Sequence, residues 1–207
     1  MKRTAGGEGH PAASGPLIVY GHPTQDDGIG GAGGTLHIES CVINGFSTGG
    51  NGLSFVGPGT LEVKDSIFRN NTNAISVTGT AVAAIDEVRL EGSSGRGVIA
   101  QDGSKVTVRN SLASDSGDAG FKALSQTSAG AELNIESCVA SDNSSGVVAQ
   151  SNSTGVATVR ISNSTVTHNG TGLVNQGSPA ILVSRVNNTV EGNTNNTSGT
   201  IGSYAAK

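Results

Sequence analysis

Apolar residues along this chain return in short runs of period two, separated by tracts of Gly, Asn and Ser. Leu36-His37-Ile38-Glu39 and Leu53-Ser54-Phe55 alternate in this way, the pattern of a half-buried strand. The phrase L-x-I-E-S-C-V begins at Leu36 and again at Leu133, and weaker copies fill the interval and continue after it. Aligned on the apolar residue before each polar dyad, the copies give a column of Ile38, Val63, Ile85, Val108, Ile135 and Ile161, in steps of 22 to 27 residues. Three residues on lies a second column, Cys41, Ser66, Val88, Ser111, Cys138 and Ser164, and then a third, Ile43, Phe68, Leu90, Ala113, Ala140 and Val166. A further strand opens after a small residue in each copy, as at Gly52-Leu53, Ala74-Ile75, Gly97-Val98 and Gly120-Phe121.

A unit of about 25 residues cannot bury its own apolar side and must stack on its neighbours. Stacked in parallel, equivalent residues lie about 4.8 Å apart and fill a common interior. No amphipathic stretch of helical length separates the strands, so the sequence predicts an all-β solenoid.

The pattern I-x-x-[CS]-x-[IVF]-x-x-N followed by G-[LIV] resembles the right-handed parallel β-helix repeats of pectate-lyase-like proteins, over about residues 34–194. It is most similar to small bacterial β-helix repeat proteins of unassigned activity, whose members are usually exported. The resemblance supplies the handedness and implies a single-stranded right-handed parallel β-helix of about seven rungs. Rungs start near residues 35, 60, 83, 104, 131, 157 and 181, and residues 15–34 hold one imperfect rung. In the last rung, either Arg185 or Val186 takes the place of Ile161. Residues 1–14 read as a flexible arm, 15–194 as the β-helix and 195–207 as a polar tail. Met1-Lys2-Arg3 is not followed by an apolar stretch, so no signal peptide is visible.

Composition agrees with many short strands and tight turns. The 207 residues include 32 Gly and only 3% aromatics, with no Trp. A net charge of -4 offers no basic footprint for nucleic acid, and no apolar run approaches a membrane span. The two cysteines share one column four rungs apart, near 19 Å. That is too far for a disulfide, so both are expected as buried free thiols.

Stacking also predicts two ladders. Glu39, Lys64, Asp86, Arg109 and Glu136 alternate in sign beside the Ile38 column and are expected to form a cross-rung chain of ion pairs. Phe46, Asn71, Ser93, Ser116, Asn143, Asn169 and Asn193 form a column resembling the asparagine ladder of β-helix turns.

Candidate chemistry collects one position before the Asn column, where Asp115, Asp142 and His168 fall on successive rungs. Two close carboxylates can share a proton or hold a hard cation, and an imidazole beside them could move a proton on a sugar. The competing reading makes all three solvated turn residues. Lys122, projecting outward from the strand after Phe121, has the chemistry of a lyase base, against the reading of an ordinary surface lysine. The resemblance to β-helix lyases would bring calcium, with Asp115 and Asp142 as ligands; no other cofactor is expected. His22, Asp26 and Asp27 cluster in a Gly-rich loop that suits a turn better than a metal site. Gly30-Gly31-Ala32-Gly33-Gly34 lacks the Lys-Ser/Thr of a phosphate loop. Two functional classes follow: a non-enzymatic structural or binding module, with end-to-end or side-by-side self-association, and a lyase, hydrolase or epimerase acting on an acidic polysaccharide. The scarcity of aromatics for sugar stacking and the even rung lengths favour the first.

Overall fold

The computed structural model describes residues 17–21 and 27–205, which leaves the predicted arm and His22 and Asp26 outside the described residues. Strands dominate these residues and no helix occurs among them. Each rung has three sides. The second side is an eight-stranded sheet running from Leu17–Tyr20 and Cys41–Asn44 through Ile67–Arg69, Arg89–Glu91, Leu112–Ser114, Val139–Ser141 and Thr165–Thr167 to Thr189–Val190. The first and third sides belong to one 14-stranded sheet, joined where Asn51–Lys64 runs through the bend between them. All pairing is parallel, as in Val63 with Ile85, Ile85 with Val108, and Val108 with Ile135. The predicted columns are thus physical rows about 4.8 Å apart, over about seven turns.

Two corners flank the second side, and both turn through left-handed backbone. At the first corner Ser40, Asp65, Glu87, Asn110, Ser137 and Asn163 have φ between 45° and 55°. At the second, Asn70, Asp115, Asp142 and His168 have φ of 52° to 60°, and Gly45, Gly92 and Gly192 fill the same position in the other rungs. Gly reaches this region freely, and Asn, Asp and His reach it more readily than other residues. The corner amides still pair with the next rung, as Asn70 N donates to Glu91 O at 3.0 Å and Gly92 N to Ser114 O at 3.1 Å.

Inside the corners, polar side chains satisfy the backbone that turns. Cys41 N, Val88 N and Cys138 N each donate to the hydroxyl of Ser66, Ser111 or Ser164 one rung on, at 3.1 to 3.2 Å. Those hydroxyls donate in turn to the carbonyl two residues back, Ser66 Oγ to Lys64 O and Ser164 Oγ to Ser162 O at 2.7 Å. The thiols of Cys41 and Cys138 make the same donation, to Glu39 O and Glu136 O at 3.2 Å. Both cysteines are free and buried, as the column spacing predicts. Burial pushes the Cys138 thiol up to about 11.

The asparagine ladder forms at the second corner. Asn143 Oδ1 accepts from Ser116 N at 2.9 Å, Asn169 Oδ1 from Asn143 N at 3.0 Å, and Asn193 Oδ1 from Asn169 N at 2.9 Å. Their amide groups reach the carbonyls of Ala113, Ala140 and Val166 at 2.9 to 3.1 Å. Asn71 repeats the motif with Phe46 N at 3.1 Å. Ser93 and Ser116 interrupt it, and neither hydroxyl has a partner.

Three expectations differ from the structure. The charged column Glu39 to Glu136 stacks in register, but only Arg109 and Glu136 come within ion-pair distance, at 3.6 Å. Apart from Asp86 these side chains are long and exposed, and each contact returns little against the entropy of fixing it. Asp86 instead accepts from Asn110 at 2.9 Å, and Glu39 lies 3.6 Å from His37. In the last rung Ser184, not Arg185 or Val186, takes the Ile161 position, because Ile181 pairs with Thr158. Asn188 then bridges Ser184 Oγ and Ile161 O at 3.0 and 2.9 Å, and Val186 is exposed. Two more strands, Asn195–Ser198 and Ile201–Tyr204, lie in the segment expected as a tail and stack on Thr171–Gln176 and Ile181–Arg185.

The core is a single column-built cluster that takes in all four Phe, Phe46, Phe55, Phe68 and Phe121, each at most 2% exposed. One row breaks its chemistry. Ala81, Ser104, Ala131 and Ala157 stack inside the bend before the first side, and the buried Ser104 hydroxyl has no partner. Ser104→Ala removes an unsatisfied buried group from an alanine row, so it should raise stability by about 1 kcal/mol, seen as a higher urea midpoint at unchanged m-value.

Candidate functional site

Asp115, Asp142 and His168 do fall on successive rungs, following Ser114, Ser141 and Thr167 in a paired row. All three side chains are exposed. Neither carboxylate forms an ion pair or hydrogen bond with a described residue, and His168 Nδ1 lies 3.5 Å from Thr167 Oγ1. The left-handed corner accounts for their residue types. The signal was present in the column itself, because Asn70, Gly92 and Gly192 occupy the same position and share that backbone preference. Calcium takes six to eight oxygen ligands. Among the described residues no three His, Cys, Asp or Glu side chains converge on one point, so at this corner only Asp115 and Asp142 offer carboxylates to such an ion.

Asp27 stands two residues before the strand Ile29–Glu39, with its carboxylate on the next rung. Its Oδ1 accepts from Asn51 N and Asn51 Nδ2 at 2.8 and 2.9 Å. The row continues rung by rung, with Asn73 Nδ2 donating to Asn51 Oδ1 at 2.8 Å and Arg96 N to Asn73 Oδ1 at 3.1 Å.

Lys122 departs from expectation. Its register with Ile99 and Val148 alternates with the core row of Val98, Phe121 and Val147, yet its side chain is only 7% exposed. It folds back along the strand to Asp118 Oδ2 at 3.0 Å, and Arg96 Nε reaches the same oxygen at 2.6 Å. Its stem is flanked by Ile99 and Val148, at 1% and 3% exposure. A lysine can bury its methylenes over apolar neighbours while its ammonium finds an acid. Burial pushes the Asp118 carboxyl up, but Lys122 and Arg96 outweigh it through hydrogen bonds and charge and hold it below the usual range. A side chain engaged with Asp118 in this way suits an anchor better than a catalytic base. The pairing is visible in register: Arg96 pairs with Ala119, beside Asp118, and Asp118 stands four residues before Lys122.

A second cluster lies on the outer surface of the second side. Arg89 and Arg69 both reach Glu91, at 2.6 and 2.7 Å. Burial raises the Glu91 carboxyl, and the two guanidinium groups more than offset it, leaving it below the usual range. Beside this cluster a shallow depression of about 450 Å³ lies against Arg89, Leu112 and Val139.

A family model described as the right-handed β-helix region matches residues 27–197, nearly the whole solenoid. The chain belongs to the right-handed β-helix family. Comparison with curated proteins and with solved structures returned no match. No helix among the described residues of this β-helix is long and apolar enough to cross a membrane. Family membership gives the β-helix its architecture; its chemistry has to be argued from the residues themselves.

Asp118 carries the pH dependence expected of this β-helix. A carboxyl lowered in the folded state stabilises fully above its unfolded pKa of about 3.9 and loses that contribution as the pH falls through the folded value. Asp118→Asn should cost about 1 kcal/mol at neutral pH, a figure discounted for the partial exposure of the carboxylate. Thermal melts of the two proteins should differ by a constant amount above about pH 5 and converge only as the pH is lowered below about 4.

Proposed function

We propose that this chain is a non-enzymatic β-helix module of pectate-lyase-like ancestry, a stiff rod that spaces or presents surfaces in an exported bacterial setting. It works by contact with a polysaccharide or with other copies of itself, side by side or end to end. The observation that carries this reading is where the reactive side chains stand. Asp115, Asp142 and His168 occupy corner positions that Asn and Gly fill in other rungs, and Lys122 is held by Asp118. The four Phe are in the core and there is no Trp, so only two Tyr remain for stacking against a sugar ring. Of these, Tyr204 lies under the Arg185 guanidinium, 5.7 Å from its carbon to the ring centre.

The competing reading is a lyase, hydrolase or epimerase for an acidic polysaccharide, with Asp115, Asp142, His168 and Lys122 as its reactive groups and calcium as its metal. In its favour stands the stacking of Asp115 and Asp142 on adjacent rungs. The two readings separate in one assay. The purified chain is incubated with acidic polysaccharides, with calcium and with chelator, and unsaturated products and new reducing ends are followed. The expected result is no turnover in either condition, and no difference between the parent chain and Asp142→Ala. Calcium-dependent turnover abolished in Asp142→Ala would establish the enzyme instead.

A further inference from the structure

We propose that the outer surface of the second side is a self-association face, on which a second copy of the chain packs antiparallel about a two-fold axis. The inference rests on the reading of the chain as a surface-presenting rod and names the surface.

The outward row of this sheet is apolar along most of its length. Ile18, Val42, Ile67, Leu112 and Val139 project from successive strands, broken only by Arg89 between Ile67 and Leu112. Ile18 and Val139 are 47% and 38% exposed. The first side is different in kind. The outward row of the first side beside its core column is made of His37, Glu62, Ala84, Thr107, Asn134 and Arg160. An apolar stripe that follows the rod axis is not what solvent exposure alone would select.

The geometry favours a second copy as the occupant. Opposed sheets match best when their repeats are equal, and another rod offers the same spacing of about 4.8 Å at every rung. A two-fold axis passing between the Ile67 and Arg89 strands sets Ile18 against the partner's Val139 and Val42 against the partner's Leu112. The same axis sets Arg69 against the partner's Glu91, an opposite-charge pair at each end of the two-fold, and Arg89 against the partner's Ile67, whose apolar surface its stem can cover. That is the self-complementarity an isologous contact requires. Six rungs along the axis and about 15–20 Å across give roughly 500 Å² per copy, the low end of specific interfaces, so the dimer is reversible.

Sedimentation of the full chain over a wide concentration range tests the proposal. Dimer should appear at high concentration, and Leu112→Lys combined with Val139→Lys should weaken it about a hundredfold. Val82→Lys, on the exposed surface of the first side, should leave it unchanged. Circular dichroism of each variant confirms that the fold is kept. In a chain carrying Ile18→Cys and Val139→Cys, a short bis-maleimide should link two copies, whereas either single variant should stay monomeric because its counterpart lies about five rungs away. A monomer at every concentration overturns the face and leaves the non-enzymatic reading standing, since that reading depends on the turnover assay. A dimer indifferent to the two lysines and not captured by the paired cysteines also overturns it.

Discussion

Parallel backbone pairing makes the nearest neighbours of each residue its own counterparts one rung away. Every position must therefore be chemically tolerable when repeated, and a residue type is judged by its row. This is why two cysteines in a row of serines are unremarkable. The thiols of Cys41 and Cys138 donate to the carbonyl two residues back, as the hydroxyls of Ser66 and Ser164 do in their own rungs. It is also why four phenylalanines suffice for a chain of this length. The interior is filled row by row with Ile, Val, Leu and Ala, and the larger rings occupy only a few rungs.

Rows of the backbone and rows of charge obey different physics. Cα register is imposed by the ladder, so Glu39, Lys64, Asp86, Arg109 and Glu136 stack as their spacing demands. Contact between their head groups is not imposed, because each long side chain chooses among several partners in water. Where an acid is partly withdrawn from solvent the choice narrows. Asp118 holds Arg96 and Lys122 on one oxygen, and Glu91 holds Arg69 and Arg89. Both clusters join a cation of one rung to an acid of the next and so fasten neighbouring turns.

Much of the fold was legible in the sequence because a period of two within a period of about 25 leaves few alternatives. The rows of Ile38, Cys41 and Ile43 came from spacing alone. The corners were half legible: the asparagine row was evident, but the left-handed demand that places Asp115, Asp142 and His168 shows only when Asn70, Gly92 and Gly192 are read as one set. The burial of Lys122 is not legible in the sequence, because alternation tells which side of a sheet a residue faces and not how far its neighbours cover it. The last rung was ambiguous because Ser184 breaks the apolar rule at the Ile161 row, with Asn188 supplying hydrogen bonds where packing ends.

The interruption of the amide ladder at Ser93 and Ser116 has a consequence for how the rod comes apart. In a solenoid each turn is held only by the turns beside it, so strength is a property of each junction separately. Asn143, Asn169 and Asn193 bind their turns with backbone and side-chain bonds alike, and Asn71 does so with the turn before it. Between these two stretches the amide stitches are missing, and the turns are linked instead by Arg69–Glu91, Arg96–Asp118 and the Val88–Ser111 hydrogen bond. A pull along the axis would therefore load buried amide bonds towards the ends and ion pairs in the middle, the part that added salt can loosen.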